Sequence, residues 1–158
     1  MSDLPTGTVT FFFTDIEGST TLWQKYPAAM PTALVRHHGI LNHAVASHNG
    51  YVFQIIGDAF CAAFSTASDG LAAALAAQHG LRDATWGETG AIRVRMALHT
   101  GAEEVRAGEF TSGEYVSGLT LSRAARLLSA GHGGQILLSL PTAELELIGI
   151  SFLGHCFT

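Results

Sequence analysis

The strongest constraint on how this chain can fold is a pair of short apolar segments joined by only two residues. Tyr51–Ile56 and Ala59–Phe64 are both apolar, and only Gly57-Asp58 separates them. Two strands with a Gly-Asp connection are typical of a tight β-hairpin. The turn signal Asn49-Gly50 marks the start of the first strand. The centre of the chain therefore predicts two adjacent antiparallel strands.

The rest of the chain alternates between strand and helix patterns. Further strands are predicted at 7–14, 92–99, 135–139 and near 150–153, and helices at 19–48 (interrupted by Pro27 and Pro31), 67–83, 120–129 and from Pro141 onward. The glycine-rich stretch 102–118 predicts a long loop or an irregular hairpin. This order predicts an α+β fold of the ferredoxin-like kind, with helices on one face of a mainly antiparallel sheet. We expect a single domain over residues 1–158.

Composition and charge exclude several kinds of protein. Hydrophobic residues make up 47% of the chain and charged residues 13%, which argues against a disordered chain. The net charge of −5, without any Lys/Arg cluster, excludes a nucleic-acid partner. No apolar run reaches the roughly 18 residues of a membrane span, and no signal sequence is present, so we expect a cytoplasmic domain. The negative net charge disfavours binding of a triphosphate unless metal ions intervene, which suggests that some carboxylates hold cations.

The first candidate site lies where the strand 7–14 ends, at Asp15. A carboxylate in this place can hold a hard divalent cation. The backbone N–H groups of residues 17–20 (Glu17, Gly18, Ser19 and Thr20) would then face phosphate oxygens at the start of a helix. The alternative is that Asp15 only caps this helix.

The second candidate is Asp58 in the hairpin turn. Aspartate after glycine is most often there for the turn itself. Adjacent strands of one sheet would, however, bring Asp15 and Asp58 together. Two carboxylates at one sheet edge can share two Mg²⁺ or Mn²⁺ ions, which activate an attacking oxygen and neutralise a leaving pyrophosphate.

Several segments, in this order, resemble the catalytic domains of class III adenylyl and guanylyl cyclases: FTDIEGST, GYVFQIIGDAFCAAF, RVRMALHTG, SRAARL and GGQILLS. The resemblance runs from about Leu4 to the C-terminus. It implies a homodimer with active sites at the interface, where one subunit supplies the metal ligands Asp15, Asp58 and the Ile16 carbonyl. The implied reaction converts ATP to 3′,5′-cyclic AMP and pyrophosphate.

The same resemblance assigns the residues that the other subunit would supply. The family's transition-state arginine follows an asparagine by four residues, which places it at Arg126 and puts Ser122 where the asparagine stands. One helical turn puts both on the same helix face. The hydroxyl of Ser122 has fewer donors than a carboxamide, so we expect weaker positioning of the ribose.

Base recognition departs further from the family pattern. Gln54 stands where adenylyl cyclases have a lysine, and the second base contact falls on Tyr115, or on Glu114 if one residue is inserted. A carboxamide both donates and accepts, so some discrimination is lost, and we expect ATP to be favoured over GTP with some GTP activity.

The resemblance also implies a lysine that binds the triphosphate, in an L-K-x-[LF] segment just after a glycine-containing strand, whereas this chain stops at Thr158, just before that segment. We expect either a trimmed C-terminal end or the absence of that grip, with weak turnover in both cases. Two alternatives stay open. One is a degenerate cyclase domain that binds nucleotide or dimerises and regulates without turnover. The other is a different two-metal nucleotidyl transferase on a related sheet, which would lack the SRAARL helix.

Overall fold

The structure, a computed structural model, describes residues 4–103, 105–108, 111–115 and 118–152. The strands are β1 (Gly7–Ile16), β2 (Tyr51–Ile56), β3 (Ala59–Phe64), β4 (Val94–Glu103), β5 (Val105–Gly108), β6 (Thr111–Tyr115) and β7 (Ile136–Leu138). The helices are α1 (Ser19–Lys25), α2 (Met30–Ser47), α3 (Ala67–Asp83), α4 (Leu119–Ser129) and α5 (Leu140–Phe152), with a single 3-10 turn at Gly87–Thr89. The α+β prediction is confirmed.

Five strands form the main sheet, in the order β2-β3-β1-β4-β7. All neighbours are antiparallel except β4 and β7, which run parallel. The predicted hairpin has the bounds expected from its turn, where Gly57 adopts a left-handed φ of 59° that suits glycine. Strands β1 and β4 pair along their whole length, from Gly7 opposite Glu103 to Ile16 opposite Val94. This long pairing fixes which residues meet at the end of β1.

Two apolar cores lie on opposite faces of this sheet, because successive side chains of a strand point to opposite sides. The larger core joins Phe12, Phe60 and Met96 to helices α2 and α3. The smaller core joins Phe11 and Tyr115 to α4 and the β1 and β3 strands. Helices therefore cover both faces, whereas the sequence predicts them on one.

The prediction of a strand near 150–153 is wrong, because helix α5 extends through Phe152. A short apolar run such as this one does not distinguish a strand from the end of a helix by its periodicity. Pro141 is tolerated as the second residue of α5, where a missing N–H leaves no helical bond unmade. The stretch 102–118 contains the end of β4 and the hairpin of β5 and β6. Of the two forms predicted for this stretch, a long loop or an irregular hairpin, it adopts the hairpin. Among the described helices, none is long and apolar enough to cross a membrane.

Candidate functional site

The hairpin turn brings Asp58 against the end of β1. The Ile16 N–H donates to Asp58 Oδ2 at 2.6 Å. This N–H belongs to the peptide bond that joins Asp15 to Ile16, so the Asp58 carboxylate contacts the main chain immediately after Asp15. The contact follows from the sheet order, since β3 pairs with β1 as far as Thr14 opposite Phe60. The two predicted carboxylates thus lie at the same end of adjacent strands.

Asp15 is held by an arginine that lies directly opposite it on β4. Arg95 donates from Nε to Asp15 Oδ1 at 2.7 Å and from Nη2 to Asp15 Oδ2 at 2.5 Å. Both side chains are about a quarter exposed, at 29% for Arg95 and 25% for Asp15. A two-point contact between a guanidinium and a carboxylate is among the stronger charged interactions in proteins.

The guanidinium of Arg95 experiences three carboxylates in all. Hydrogen bonding to Asp15 is the main cause that raises the pKa of Arg95 above its ordinary value, partial burial opposes it, and the negative charges of Asp15, Glu17 and Asp58 add to it. Arg95 therefore remains cationic at any physiological pH, and it compensates a local excess of negative charge.

Glu17 makes a contact that differs from the prediction. Its main-chain N–H, expected to face a phosphate, instead donates to the carbonyl oxygen of Arg93 at 2.9 Å, since β1 and β4 continue to approach each other beyond Ile16. Its side-chain Oε2 accepts the N–H of Gly133, in the loop between α4 and β7. Glu17 thus joins the end of β1 to two other segments.

The remaining residues of the predicted phosphate turn lie at the start of α1. Gly18 precedes the helix with a left-handed φ of 67° and provides no side-chain cap. The first N–H groups of a helix have no acceptor within the helix. Ser19 is half-buried and Thr20 is exposed. A role of Gly18, Ser19 and Thr20 in phosphate binding stays a prediction.

Helix α4 presents Ser122 and Arg126 on its exposed face. Ala124 of the same helix is buried and Leu121 packs against the smaller core, which leaves Ser122, Arg123 and Arg126 directed outward. In the described part of the chain, Arg126 has no ion pair, and Asp15 and Asp58 do not reach it. Within one chain, the predicted arginine and the aspartates therefore form two separate groups.

The residues predicted to read the base lie on two strands, β2 and β6. Gln54 is exposed on the edge strand β2, next to a register shift. Tyr115 is buried between Phe11 and Phe53, and its hydroxyl donates to the Pro5 carbonyl oxygen at 2.7 Å. Burial is the main cause that raises the pKa of Tyr115 well above its usual range. The main chain of Glu114 in β6 pairs with that of Arg106 in β5. The side chain of Glu114 lies outside the described part of the structure.

The oxygen donors present suit a hard divalent cation. Asp15, Asp58 and the Ile16 carbonyl offer only oxygen atoms, which Mg²⁺ and Mn²⁺ prefer. Arg95 donates one hydrogen bond to each Asp15 oxygen, so a cation at Asp15 would either share the carboxylate with the guanidinium or displace it. The described residues contain no group of three or more His, Cys, Asp or Glu side chains suited to a metal. Mg²⁺ is commonly held by one or two carboxylates together with substrate phosphates, so two aspartates suffice when a triphosphate is bound.

Arg95 and the loop contact of Glu17 are the two features of this site that the sequence analysis missed. The signal for Arg95 was its place in an alternating strand, because an arginine paired across strands with Asp15 forms a favourable opposite-charge pair. Recognising that pair requires knowing that β4 neighbours β1. The contact between Glu17 and Gly133 spans 116 residues of sequence and has no local signal.

The fold is shared with solved cyclase domains. A structure of adenylate cyclases from Trypanosoma brucei in their monomeric state superimposes with a TM-score of 0.82, at 28% identity, over 89% of this chain and 76% of that chain. The guanylyl cyclase domain of the RhoGC fusion protein from Blastocladiella emersonii superimposes with a TM-score of 0.80 over 90% of this chain and 84% of that chain, at 19% identity, which shows the fold alone.

Sequence comparison then identifies the family. The model of the adenylate and guanylate cyclase catalytic domain matches residues 1–147, and the chain belongs to that family. An uncharacterized protein from Mycobacterium tuberculosis is 40% identical over 143 residues. These cover 89% of this chain but 46% of the relative, so the chain spans about half the length of that relative.

Proposed function

We propose that this domain is an adenylate cyclase that converts ATP to 3′,5′-cyclic AMP and pyrophosphate, with some activity on GTP. In this reaction the 3′-hydroxyl oxygen forms a bond to the α-phosphorus, the bond from that phosphorus to the pyrophosphate oxygen breaks, and the hydroxyl proton is released. The observation that carries the proposal is the contact of Asp58 with the main chain directly after Asp15. It supports a shared site for two carboxylates at the end of β1.

Asp15, Asp58 and the Ile16 carbonyl would hold two divalent ions. Such ions, Mg²⁺ or Mn²⁺, supply activation of an attacking hydroxyl and charge neutralisation of pyrophosphate. Arg95 holds the Asp15 carboxylate in a defined orientation until then, through its two-point contact. If a cation at Asp15 displaced this guanidinium, Arg95 would be available to bind phosphate oxygens.

The exposed face of α4 supports a site shared between two copies of the chain. Arg126 is exposed and, among the described residues, forms no ion pair with Asp15 or Asp58 of its own chain. In a homodimer, Arg126 of one copy would stabilise the negative charge that develops on the α-phosphate held by the other. Ser122, one turn earlier on α4, would position the ribose by a hydroxyl hydrogen bond.

Gln54 is the proposed contact to the base, because its carboxamide is exposed and both donates and accepts hydrogen bonds. The second contact remains with Tyr115 or Glu114. The engagement of the Tyr115 hydroxyl by Pro5 supports Glu114 for this role, since Tyr115 would have to break a buried hydrogen bond to reach a ligand.

A second candidate function is a domain that binds nucleotide or dimerises and regulates without turnover. The specific observation in its favour is that the hydroxyl of Tyr115 is buried and already bonded, while Ser122 offers less than the usual asparagine. Both changes weaken substrate positioning and leave the metal ligands intact.

The decisive experiment is an assay of the purified domain with Mn²⁺ and either ATP or GTP, in which cyclic nucleotide and pyrophosphate are separated by chromatography. Asp58→Asn should lower the rate by about 100-fold or more, as expected when a preorganised charge is removed from a reacting centre. Asp83→Asn is the matched control, because Asp83 is exposed and makes only a surface pair with Arg82. Nucleotide binding without any cyclic product, at high protein concentration, would support the second candidate instead.

A further inference from the structure

We propose that Glu17 is a positioning residue, which fixes the main chain at Ile16 by tying it to the loop between α4 and β7. The inference rests on the proposed function, since it assigns Glu17 to the orientation of the Ile16 carbonyl toward a divalent ion. It extends that function to a residue that neither touches the substrate nor ligates the metal.

The main chain around Ile16 is held at two successive N–H groups. The Ile16 N–H donates to Asp58 and the Glu17 N–H donates to the Arg93 carbonyl oxygen. In a planar trans peptide the C=O and N–H point in opposite directions. The Ile16 carbonyl therefore points away from Arg93 as long as the Glu17 N–H keeps its acceptor.

The side chain of Glu17 holds the same stretch of main chain through a second contact, with the loop between α4 and β7. Its carboxylate accepts the N–H of Gly133, a buried residue, although most of Glu17 itself is exposed. A buried N–H without an acceptor is costly, so the Glu17 carboxylate satisfies a group that would otherwise have no partner there. The neighbouring Gly134 N–H donates to the Val94 carbonyl oxygen at 2.9 Å, which anchors the loop to the start of β4.

The packing at Gly133 leaves room for this contact only because the residue has no side chain. A Cβ at Gly133 would lie 2.5 Å from Cβ of Arg93 and 2.9 Å from Oε2 of Glu17. Real Cβ atoms essentially never approach other atoms at 2.5 Å, so any larger residue would push the loop away from both. Gly133→Ala should therefore break the same contact from the opposite partner.

The first test asks whether the contact exists, and it is independent of catalysis. In ¹⁵N-labelled protein, the Gly133 amide resonance should shift and exchange faster with solvent in Glu17→Ala, because it loses a charged acceptor. Glu17→Gln keeps an acceptor oxygen and should give an intermediate shift. Glu88→Ala is the matched control, because Glu88 is exposed in the 3-10 turn and should leave Gly133 unmoved. An unchanged Gly133 resonance in Glu17→Ala overturns the proposal.

The second test asks whether the contact positions the metal ligands. Binding of Mn²⁺ alone, followed by the loss of the free-ion electron spin resonance signal, should weaken about tenfold in Glu17→Ala, with partial rescue in Glu17→Gln. In the cyclase assay, the Mn²⁺ concentration for half-maximal rate should rise in parallel, while kcat at saturating Mn²⁺ changes less than about twofold. The double variant Gly133→Ala/Glu17→Ala should bind Mn²⁺ no more weakly than either single variant, because both substitutions break the same contact.

Two outcomes distinguish a purely structural role of Glu17 from a failure of the proposed cyclase function. Lower thermal stability of Glu17→Ala with unchanged Mn²⁺ binding would mean that the contact only stabilises the fold, and would overturn the positioning role. Weaker Mn²⁺ binding in Glu17→Ala, together with no cyclic product from the unmodified domain, would support the positioning role and refute the cyclase.

Discussion

Arg95 and Asp15 stand directly opposite each other on neighbouring strands, and the guanidinium spans both oxygens of the carboxylate. A cation that uses Asp15 must therefore compete with a positive charge that belongs to the chain itself. In the proposed metal site, the affinity of Asp15 for a divalent ion would depend on how strongly the Arg95 guanidinium opposes that ion.

Replacing Arg95 by methionine should strengthen the binding of Mn²⁺ in the absence of nucleotide. A partly exposed ion pair contributes about 1 kcal/mol, so removing the competitor should lower the Kd for Mn²⁺ by about fivefold. Spin resonance titration of free Mn²⁺ measures this directly. The control is Arg82→Met, which removes an exposed arginine whose partner is Asp83. Equal or weaker Mn²⁺ binding in Arg95→Met would contradict the competition.

Two inactive variants should restore activity when mixed, if each site combines residues of two chains. Asp58→Asn removes a metal ligand and Arg126→Ala removes the arginine of α4. In a random mixture half of the dimers contain one of each, and each such dimer has one intact site of two, so about a quarter of the unmodified activity should return. A mixture that stays as inactive as its components, in a sample shown to be dimeric, would refute the shared site.

Stability should fall as the pH is lowered from 6.5 to about 4, because of His37. Its side chain is fully buried in the larger core beside Phe60, its Nε2 has no hydrogen-bond partner among the described residues, and burial, with a smaller contribution from His38, lowers its pKa from 6.5 to about 4. The unfolded chain binds a proton in this window that the folded chain does not, so the stabilisation is complete above pH 6.5 and is lost toward pH 4. The corresponding loss is about 3 kcal/mol.

Urea unfolding across this pH range checks the assignment to His37. His37→Leu removes the titrating group, keeps an apolar side chain of similar size, and should flatten the pH dependence by about that amount. His43→Leu is the control on the same helix, since His43 is exposed. An identical pH dependence of stability in His37→Leu and in the unmodified domain would exclude His37 as its source.

Gly50→Ala should destabilise the domain, whereas Gly39→Ala should stabilise it. A Cβ at Gly50 would lie 2.4 Å from Cε1 of Phe64 and 2.6 Å from Cγ1 of Val45, and overpacking of this kind costs about 1–3 kcal/mol. Gly39 lies inside α2 with no atom within 4 Å of such a Cβ, so alanine should gain about 0.5–1 kcal/mol from its higher helix propensity. The urea midpoints of the two variants measure the difference. Similar shifts of the urea midpoint in both variants would show that the packing around Gly50 is looser than these distances indicate.

The local elements were predictable because their ends carry strong signals. β2, β3 and α3 have the predicted bounds, since Asn49-Gly50 and Gly57-Asp58 are turns and Thr66 caps α3 by accepting the Asp69 N–H. Pro31 lies in the first turn of α2, where proline is favoured, so it marks a helix start.

Relationships between distant segments were harder to predict, because they depend on strand order. The meeting of Asp58 with the end of β1 follows once β3 is placed beside β1, and the pairing predicted for the two aspartates needed only that neighbour. Arg95 needed β4 on the other side of β1 as well, and the contact of Glu17 with Gly133 needed the loop that precedes β7. The placement of α4 opposite α2 and α3 was missed because apolar periodicity indicates that a helix is buried, but not on which side of a sheet.

The unequal cores have a consequence for how this protein can change over generations. The larger core packs against α2 and α3 on one face of the sheet. Asp15 and Phe11 lie on the opposite face of β1, which α4 covers. The Asp15 side chain therefore lies away from the larger core, on the opposite face of the sheet. Loss of the Asp15 carboxylate would leave every side chain of the larger core in place, so a descendant without it could keep the same fold.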